Sequence, residues 1–178
     1  MARITLPQAD ALMPEQQDLY QRFPSNLTRA LLRTGACTAG YLTLGASFRQ
    51  GHLCAKDREL VILRVAALSN SAYERMQHIN IAKNSGWSEI NIDAIEHGEI
   101  HKLDSKSQAI VRFTDECVNN IKVTHSVFNA LRSHYSEEEM AEITLLIGHY
   151  MMTARFLETL DIELDDGPTS WENIAVNH

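Results

Sequence analysis

Apolar residues recur at helical spacing along most of the chain, and polar residues fill the positions between them. No segment of useful length shows the alternation of apolar and polar residues that is typical of a β-strand. Helices are predicted over residues 14–22, 27–35, 38–50, 55–69, 71–84, 89–97, 105–122, 125–135 and 137–164. The pattern therefore predicts an all-α protein.

Local signals at helix ends support this pattern. Ser88 is a good N-cap for the helix over 89–97, and Gly98 is expected to end that helix. Ser136 and Glu139 have the spacing of a capping box, in which each side chain satisfies a backbone donor of the other residue. Gly51 suits the end of the helix over 38–50.

The helix over 55–69 differs from the others because apolar residues cover nearly all of its sides. A helix of this kind is buried on several sides, and in a chain this short another subunit could supply part of that burial. We therefore expect a homo-oligomer.

The chain length of 178 residues fits one domain over 1–178. Within it, residues 1–50 are predicted to form an N-terminal helical extension and residues 51–160 the core. Residues 161–178 form a tail that is either loosely ordered or an arm that docks Trp171 on a neighbouring subunit.

Composition and charge narrow the possible functions. The formal net charge of −7 argues against nucleic-acid binding and gives no polybasic signal for a membrane surface. No secretory signal or membrane-spanning run is found, so we expect a cytoplasmic protein. The three cysteines form no C-x-x-C motif and are expected to be reduced, small buried residues.

Candidate chemistry lies where two helices are predicted to form an antiparallel hairpin that turns at residues 69–70. Residues equally far from the turn then face each other, which places His78 within about one turn, or about 5.4 Å of rise, of Glu59. Glu74 and His78 share a helical face, and Ser71 lies one turn earlier. We therefore expect these four side chains to converge on one groove with apolar walls.

Such a groove is suited to acid–base chemistry. A carboxylate beside an imidazole fixes its tautomer and raises its basicity, and an apolar surround raises the pKa of a carboxyl group. The Tyr73 hydroxyl could donate to a developing oxyanion, and Arg64 or Arg75 could hold a substrate carboxylate. A buried network that only satisfies its own polar groups would have the same spacing, so both interpretations stay open.

Two further features of the sequence involve histidines that could bind a substrate or a metal ion. His149 lies on an apolar stripe and is either a core residue or a group that reaches into the groove to bind substrate. His97 and His101 are four residues apart, as in some zinc sites, but Gly98 should end the helix between them and no third ligand is apparent. No metal site is therefore predicted.

The segment "RELVILRVAALSNSAYERMQHINIAKNSG" closely resembles the core motif of the carboxymuconolactone decarboxylase and alkyl hydroperoxidase D-like family, and the resemblance extends over residues 38–160. It implies an alkyl hydroperoxidase D-like helical domain that assembles as a dimer, trimer or hexamer. The peroxidase branch carries a C-x-x-C pair where this chain has Ser71 and Glu74, which argues against thiol peroxidase activity. The decarboxylase-like branch has Tyr-Glu and then a histidine, as at Tyr73, Glu74 and His78, but its typical tryptophan is Arg75 here.

The resemblance implies an enzyme without a cofactor that decarboxylates, or moves a proton on, a small carboxylated lactone or related acid. His78 would move the proton, and Glu74 would orient or share that proton. Glu59 would adjust the proton affinity of the pair formed by Glu74 and His78. Tyr73, Arg64, Ser71 and His149 would bind the substrate. The alternatives are a peroxidase-related antioxidant protein that uses Cys54, Cys117 or a partner thiol, and a non-catalytic helical oligomer that binds a small ligand or a partner.

Overall fold

The computed structural model describes residues 1–169, and these residues form helices and connecting segments without a β-strand. The α-helices are α1 (Pro14–Arg22), α2 (Asn26–Leu31), α3 (Cys37–Ser47), α4 (Ala55–Leu68), α5 (Ala72–Asn84), α6 (Glu89–His97), α7 (Ser105–Asn120), α8 (His125–Arg132) and α9 (Glu137–Thr159). Short 3-10 turns cover Ala9–Ala11, Leu32–Thr34 and Ile100–Lys102. The all-α prediction is confirmed.

The described residues form two compact units, one of residues 1–50 with 156–169 and the other of residues 51–155. In the first unit, α1, α2 and α3 pack on one another. Arg3 donates its backbone N–H to the carbonyl of Leu160, and the Asn26 N–H donates to the Asp165 carboxylate. The division into one domain with an extension and a tail stays a prediction, and the proposed docking of Trp171 lies outside the described residues.

The second unit is built around α4, which packs against α5, α6 and α7, while α7 also packs against α8. Most apolar residues of α4 are buried within this single chain, and the last two, Ala67 and Leu68, are partly buried. Its all-round apolar pattern is thus satisfied without a second subunit, so this helix no longer argues for an oligomer, which stays a prediction. None of the helices in residues 1–169 is long and apolar enough to cross a membrane.

The predicted helix caps are formed. The Ser88 hydroxyl accepts from the Asn91 N–H, and the Ser136 and Glu139 side chains accept from each other's backbone N–H groups. Gly98 ends α6 in the left-handed conformation, with φ 71°. These contacts satisfy donors and acceptors that a helix end leaves open.

Several predicted helix ends were wrong by a few residues. The helix over 27–35 is an α-helix only to Leu31 and then tightens into a 3-10 turn. α3 ends at Ser47 rather than at residue 50, α7 ends where Ile121 adopts φ 65°, and α8 ends at Arg132. α9 ends at Thr159 rather than near residue 164, shortly before Asp161 adopts φ 48°.

Candidate active site

The predicted hairpin of α4 and α5 positions the candidate site. The chain reverses at Ser69 and Asn70, and Asn70 adopts the left-handed conformation with φ 52°. The Ser71 N–H then donates to the carbonyl of Ala66 at 2.9 Å. Asparagine tolerates this conformation better than residues with bulky or branched side chains. The tight turn lets α5 run back along α4, so that residues midway along both helices lie opposite each other.

Glu59 and His78 are hydrogen-bonded across this hairpin. Glu59 Oε2 lies 2.7 Å from His78 Nδ1, and the two residues are only 1% and 6% exposed. A second donor, Arg58 Nε, lies 3.2 Å from the other carboxylate oxygen of Glu59. Because a carboxylate is an acceptor, Nδ1 carries the proton and the neutral imidazole has its lone pair on Nε2.

Tyr150 on α9 extends this pair. Its hydroxyl lies 3.1 Å from His78 Nε2, and its ring stands edge-on to the imidazole with 5.1 Å between centroids. Sequence reasoning missed this residue, which lies at helical spacing among the apolar residues of the last helix. The available signal was its hydroxyl, because a phenol in an aliphatic stripe usually needs a hydrogen-bond partner. Tyr150 is only partly buried, so the series leads from a buried carboxylate toward the surface.

His149 is the neighbour of Tyr150 on α9 and is buried. Its ring stands edge-on to the tyrosine ring, with centroids 5.3 Å apart. Burial, with a smaller contribution from the positive charge that His78 can carry, lowers the pKa of His149 to about 4. His149 is therefore neutral at neutral pH, beside the Tyr150 ring.

Three other predicted site residues lie at the start of α5. Ser71, Tyr73 and Glu74 are all buried. Ser71 occupies the N-cap position, yet its hydroxyl makes no capping bond, and Oγ is buried without a hydrogen-bond partner among the described residues. Glu74 is one helical turn before His78. The structure thus places these residues on the first turn of α5, and their roles toward a substrate stay predictions.

The guanidinium group of Arg64 contacts residues outside the series of Glu59, His78 and Tyr150. Its Nε lies 2.5 Å from Asp115 Oδ1, and Nη1 donates to the carbonyls of Ile95 and Glu96 at the end of α6. Arg75 likewise pairs with the Glu96 carboxylate at 2.6 Å. These contacts link α4 and α5 to neighbouring helices, and they give Arg64 a structural role that the sequence did not indicate.

The structure also shows where His97 and His101, the two histidines with the spacing of some zinc sites, are placed. His97 Nδ1 donates to the carbonyl of Asp93 at 2.9 Å, and Gly98 ends α6 before His101. Within residues 1–169, no group of three or more histidine, cysteine or acidic side chains is arranged to hold a metal ion.

The expectation of buried cysteines was wrong for two of the three. Cys37 and Cys54 are exposed, because they lie at the starts of α3 and α4. Cys117 is partly buried, and this burial raises the pKa of its thiol. A raised pKa disfavours the thiolate, which is the form that reacts with peroxides.

The fold is that of the alkylhydroperoxidase AhpD-like helical proteins. The chain is similar to the "alkylhydroperoxidase AhpD core: uncharacterized peroxidase-related protein" from Ralstonia eutropha JMP134, with 18% identity, a TM-score of 0.79 and 93% of each chain covered. It is also similar to an uncharacterized peroxidase-related protein from Silicibacter sp. TM1040, with 15% identity, a TM-score of 0.78, and 93% of this chain and 92% of that chain covered. A third similar structure is the debrominase Bmp8, with 15% identity, a TM-score of 0.71 and 90% of each chain covered.

Residues 38–116 match the model of the carboxymuconolactone decarboxylase family. The matched region contains Glu59 and His78 together with the first turn of α5. No significant match was found among curated proteins.

Proposed function

We propose that this protein is an acid–base enzyme that uses no cofactor and acts on a small carboxylated lactone or related acid. The reaction would be decarboxylation or proton transfer beside a carbonyl group. The observation that carries this proposal is the hydrogen-bonded series of Glu59, His78 and Tyr150, with 2.7 Å between Glu59 and His78 and 3.1 Å between His78 and Tyr150. A series of this kind can accept a proton at one end and balance the resulting charge at the other.

The series can work in two directions. With a neutral imidazole, Tyr150 donates its proton to His78 Nε2 while its oxygen takes a proton from the substrate, and Glu59 balances the imidazolium that forms. With the imidazolium already present, Nε2–H donates to the tyrosine oxygen and the tyrosine O–H points to the substrate. Tyr150 then delivers a proton to the carbon or oxygen that holds the developing negative charge.

Decarboxylation would use the second direction. The bond to the carboxylate carbon breaks, carbon dioxide leaves, and the electron pair moves into the adjoining carbonyl to give an enolate. Tyr150 hydrogen-bonds the enolate and then protonates the carbon, while His78 supplies the replacement proton. Glu74, one turn before His78 on the same helix, would orient the series.

His149 and the first turn of α5 would form the substrate's surroundings. The low pKa of about 4 keeps His149 uncharged near neutral pH, so it can hydrogen-bond a substrate without repelling the imidazolium of His78. The buried hydroxyl of Ser71, which has no hydrogen-bond partner among the described residues, is a candidate donor to a substrate. Arg64 is committed to Asp115, which supports a structural role for it in this proposal.

The test is turnover by the purified protein against a panel of small unsaturated acids and carboxylated lactones. Carbon dioxide release reports decarboxylation, and hydrogen exchange in D2O, followed by NMR, reports proton transfer beside a carbonyl. His78→Gln should abolish both while circular dichroism shows an intact fold, and exposed His97→Gln is the matched control. Full turnover by His78→Gln would reject the acid–base proposal.

The same purified protein allows two alternative functions to be tested, namely thiol peroxidase activity and non-catalytic ligand binding. Peroxide consumption that disappears when Cys37, Cys54 and Cys117 are all changed to serine would indicate thiol chemistry. The raised pKa of Cys117 and the replacement of the C-x-x-C pair by Ser71 and Glu74 argue against it. No turnover on either assay, together with saturable binding of a panel member, would instead indicate a non-catalytic binding protein.

A further inference from the structure

The outward face of α9 carries a regular pattern that the proposed chemistry does not use. Six exposed residues follow one another at alternating intervals of three and four positions, which is the spacing of a coiled-coil seam. The six are Glu138, Ala141, Leu145, Gly148, Met152 and Arg155. Leu145 and Met152 are 54% and 47% exposed, so two large apolar side chains of this seam lie in water in the single chain.

The seam is complementary to itself when a second copy runs in the opposite direction. If the two copies of α9 cross between residues 146 and 147, Leu145 faces Gly148 of the second copy. In the next layer Met152 faces Ala141 of the second copy, so that each apolar layer pairs a large side chain with a small one. At the two ends Glu138 faces Arg155 of the second copy, and the opposite charges attract.

A parallel arrangement of the same seam lacks this complementarity. It would place Leu145 against Leu145, Gly148 against Gly148 and Glu138 against Glu138. The glycine layer would leave a gap, and the like charges at the ends would repel. The pattern therefore specifies the antiparallel orientation.

A neighbouring groove gives the second copy's Met152 a place to insert. This cavity of about 300 Å³ lies between α8 and α9. It is lined by Phe128, Arg132, Glu137, Met140, Ala141 and Thr144. Because Ala141 belongs to both the seam and the groove, the methionine that faces Ala141 in the antiparallel pair lies at the mouth of this groove.

We propose that the outward seam of α9 is the surface by which two copies of this chain dimerise, antiparallel and about a two-fold axis. This assigns a surface to the homo-oligomer expected from the sequence. The proposal rests on the seam and not on the proposed reaction. It has one consequence for the site, since α9 also carries His149 and Tyr150 and the dimer would brace the helix that presents them.

The first test is the mass of the full chain in solution, measured by sedimentation velocity over a concentration series. The wild-type protein should be a dimer or a larger even-numbered assembly. Leu145→Glu buries a charge in the seam and should weaken the dimer by about 30-fold or more, as expected for a central interface residue. Ile90→Glu is the matched control, since Ile90 is 73% exposed on α6, outside the seam.

Gly148→Leu provides a second variant, at an exposed position of α9. A Cβ atom at Gly148 would meet nothing within 4 Å in the single chain, so a side chain can leave the helix there toward solvent. In the dimer it would collide with Leu145 of the second copy and should halve the measured mass. A monomeric wild type, an odd-numbered assembly, or an assembly that neither Leu145→Glu nor Gly148→Leu disrupts would overturn the proposal.

Charge exchange and cross-linking test the orientation. Glu138→Arg and Arg155→Glu should each weaken the dimer, and the double variant should restore it because both end pairs are re-formed with reversed signs. In a background with all three native cysteines changed to serine, a Leu145→Cys chain mixed with a Gly148→Cys chain should form a mixed disulfide under mild oxidation. Cross-linking of Leu145→Cys chains to themselves in preference would indicate a parallel pair and reject the proposed geometry.

Discussion

Glu59 Oε2 and His78 Nδ1 lie 2.7 Å apart across the α4–α5 hairpin, although the two residues are 19 positions apart in the sequence. Both side chains are buried, and Arg58 supplies the carboxylate with a further donor. The imidazole is thereby held in one orientation with Nε2 directed at the Tyr150 hydroxyl. This fixed geometry allows the contribution of each member to be tested separately.

Tyr150→Phe should lower kcat on an identified substrate by about 10²–10⁴-fold, the usual range for loss of a general acid or base. KM should change little, because the ring and its contacts with both imidazoles remain. Tyr20→Phe in α1 is the control.

Glu59→Gln should lower kcat to a comparable extent. The double variant of Glu59→Gln and Tyr150→Phe should have a kcat no lower than that of the less active single variant, since Glu59, His78 and Tyr150 act as a unit. If the factors by which the two single variants lower kcat multiply in the double variant, the residues act independently.

The stability of the protein should depend on His149 at acidic pH. Its pKa is lowered to about 4 in the folded chain, against about 6.5 when unfolded, so the unfolded chain binds more protons between these values. The contribution of His149 to the free energy of unfolding is therefore fully present above pH 6.5, and it is lost as the pH falls toward 4. Between pH 7 and 4.5 the loss should be about 2 kcal/mol.

Urea unfolding of the wild type and of His149→Gln at pH 7 and pH 4.5 measures this contribution. The free energy of unfolding should fall more steeply with acidification in the wild type than in the variant. His97→Gln, which removes an exposed histidine from the same chain, serves as the control. Equal slopes in the wild type and His149→Gln would contradict the assignment.

Arg64→Ala should destabilise the fold by about 3 kcal/mol, the cost of breaking a largely buried ion pair. The Asp115 carboxylate and the carbonyls of Ile95 and Glu96 would each lose a donor. Arg75→Ala, which removes an exposed pair with Glu96, should cost about 1 kcal/mol or less. Thermal and urea unfolding give both values. A stable Arg64→Ala protein with a raised KM would instead assign Arg64 to substrate binding.

The sequence predicted the hairpin and its central pair because both depend on local rules. Helical periodicity and the turn at Ser69 and Asn70 set the register, and that register alone places His78 near Glu59. Tyr150 could not be found this way, because the approach of α9 to the hairpin depends on tertiary packing. The ion pair of Arg64 could not be found for the same reason, since its partner Asp115 lies 51 residues away.

Helix starts were predicted more accurately than helix ends. Ser88 and the pair of Ser136 and Glu139 have side chains that cap a helix, and such caps are recognisable in a sequence. The ends of α7 and α9 instead involve positive φ angles at Ile121 and Asp161, and a β-branched isoleucine gives no sequence signal for such a conformation. Their positions depend on surrounding packing, which sequence periodicity does not contain.

Gly51 was predicted to end a helix, but the structure gives it a different role. α3 already ends at Ser47, and a Cβ atom at Gly51 would overlap the carboxyl group of Glu142. That carboxylate accepts hydrogen bonds from the backbone N–H groups of His52 and, at 3.3 Å, Leu53. The absence of a side chain at position 51 thus lets α9 bind the segment that leads into α4.

Gly51→Ala should therefore lower the free energy of unfolding by about 1–3 kcal/mol, because the Glu142 carboxylate must leave its two backbone donors. Gly40→Ala is the matched substitution, and it should raise stability by about 0.5–1 kcal/mol. Gly40 lies inside α3, where a Cβ atom meets nothing within 4 Å and alanine is the better helix former. Urea unfolding of both variants should give changes in the free energy of unfolding that have opposite signs. A stabilising effect of Gly51→Ala would mean that Glu142 can move aside without loss and that the link between α9 and the start of α4 contributes little to the fold.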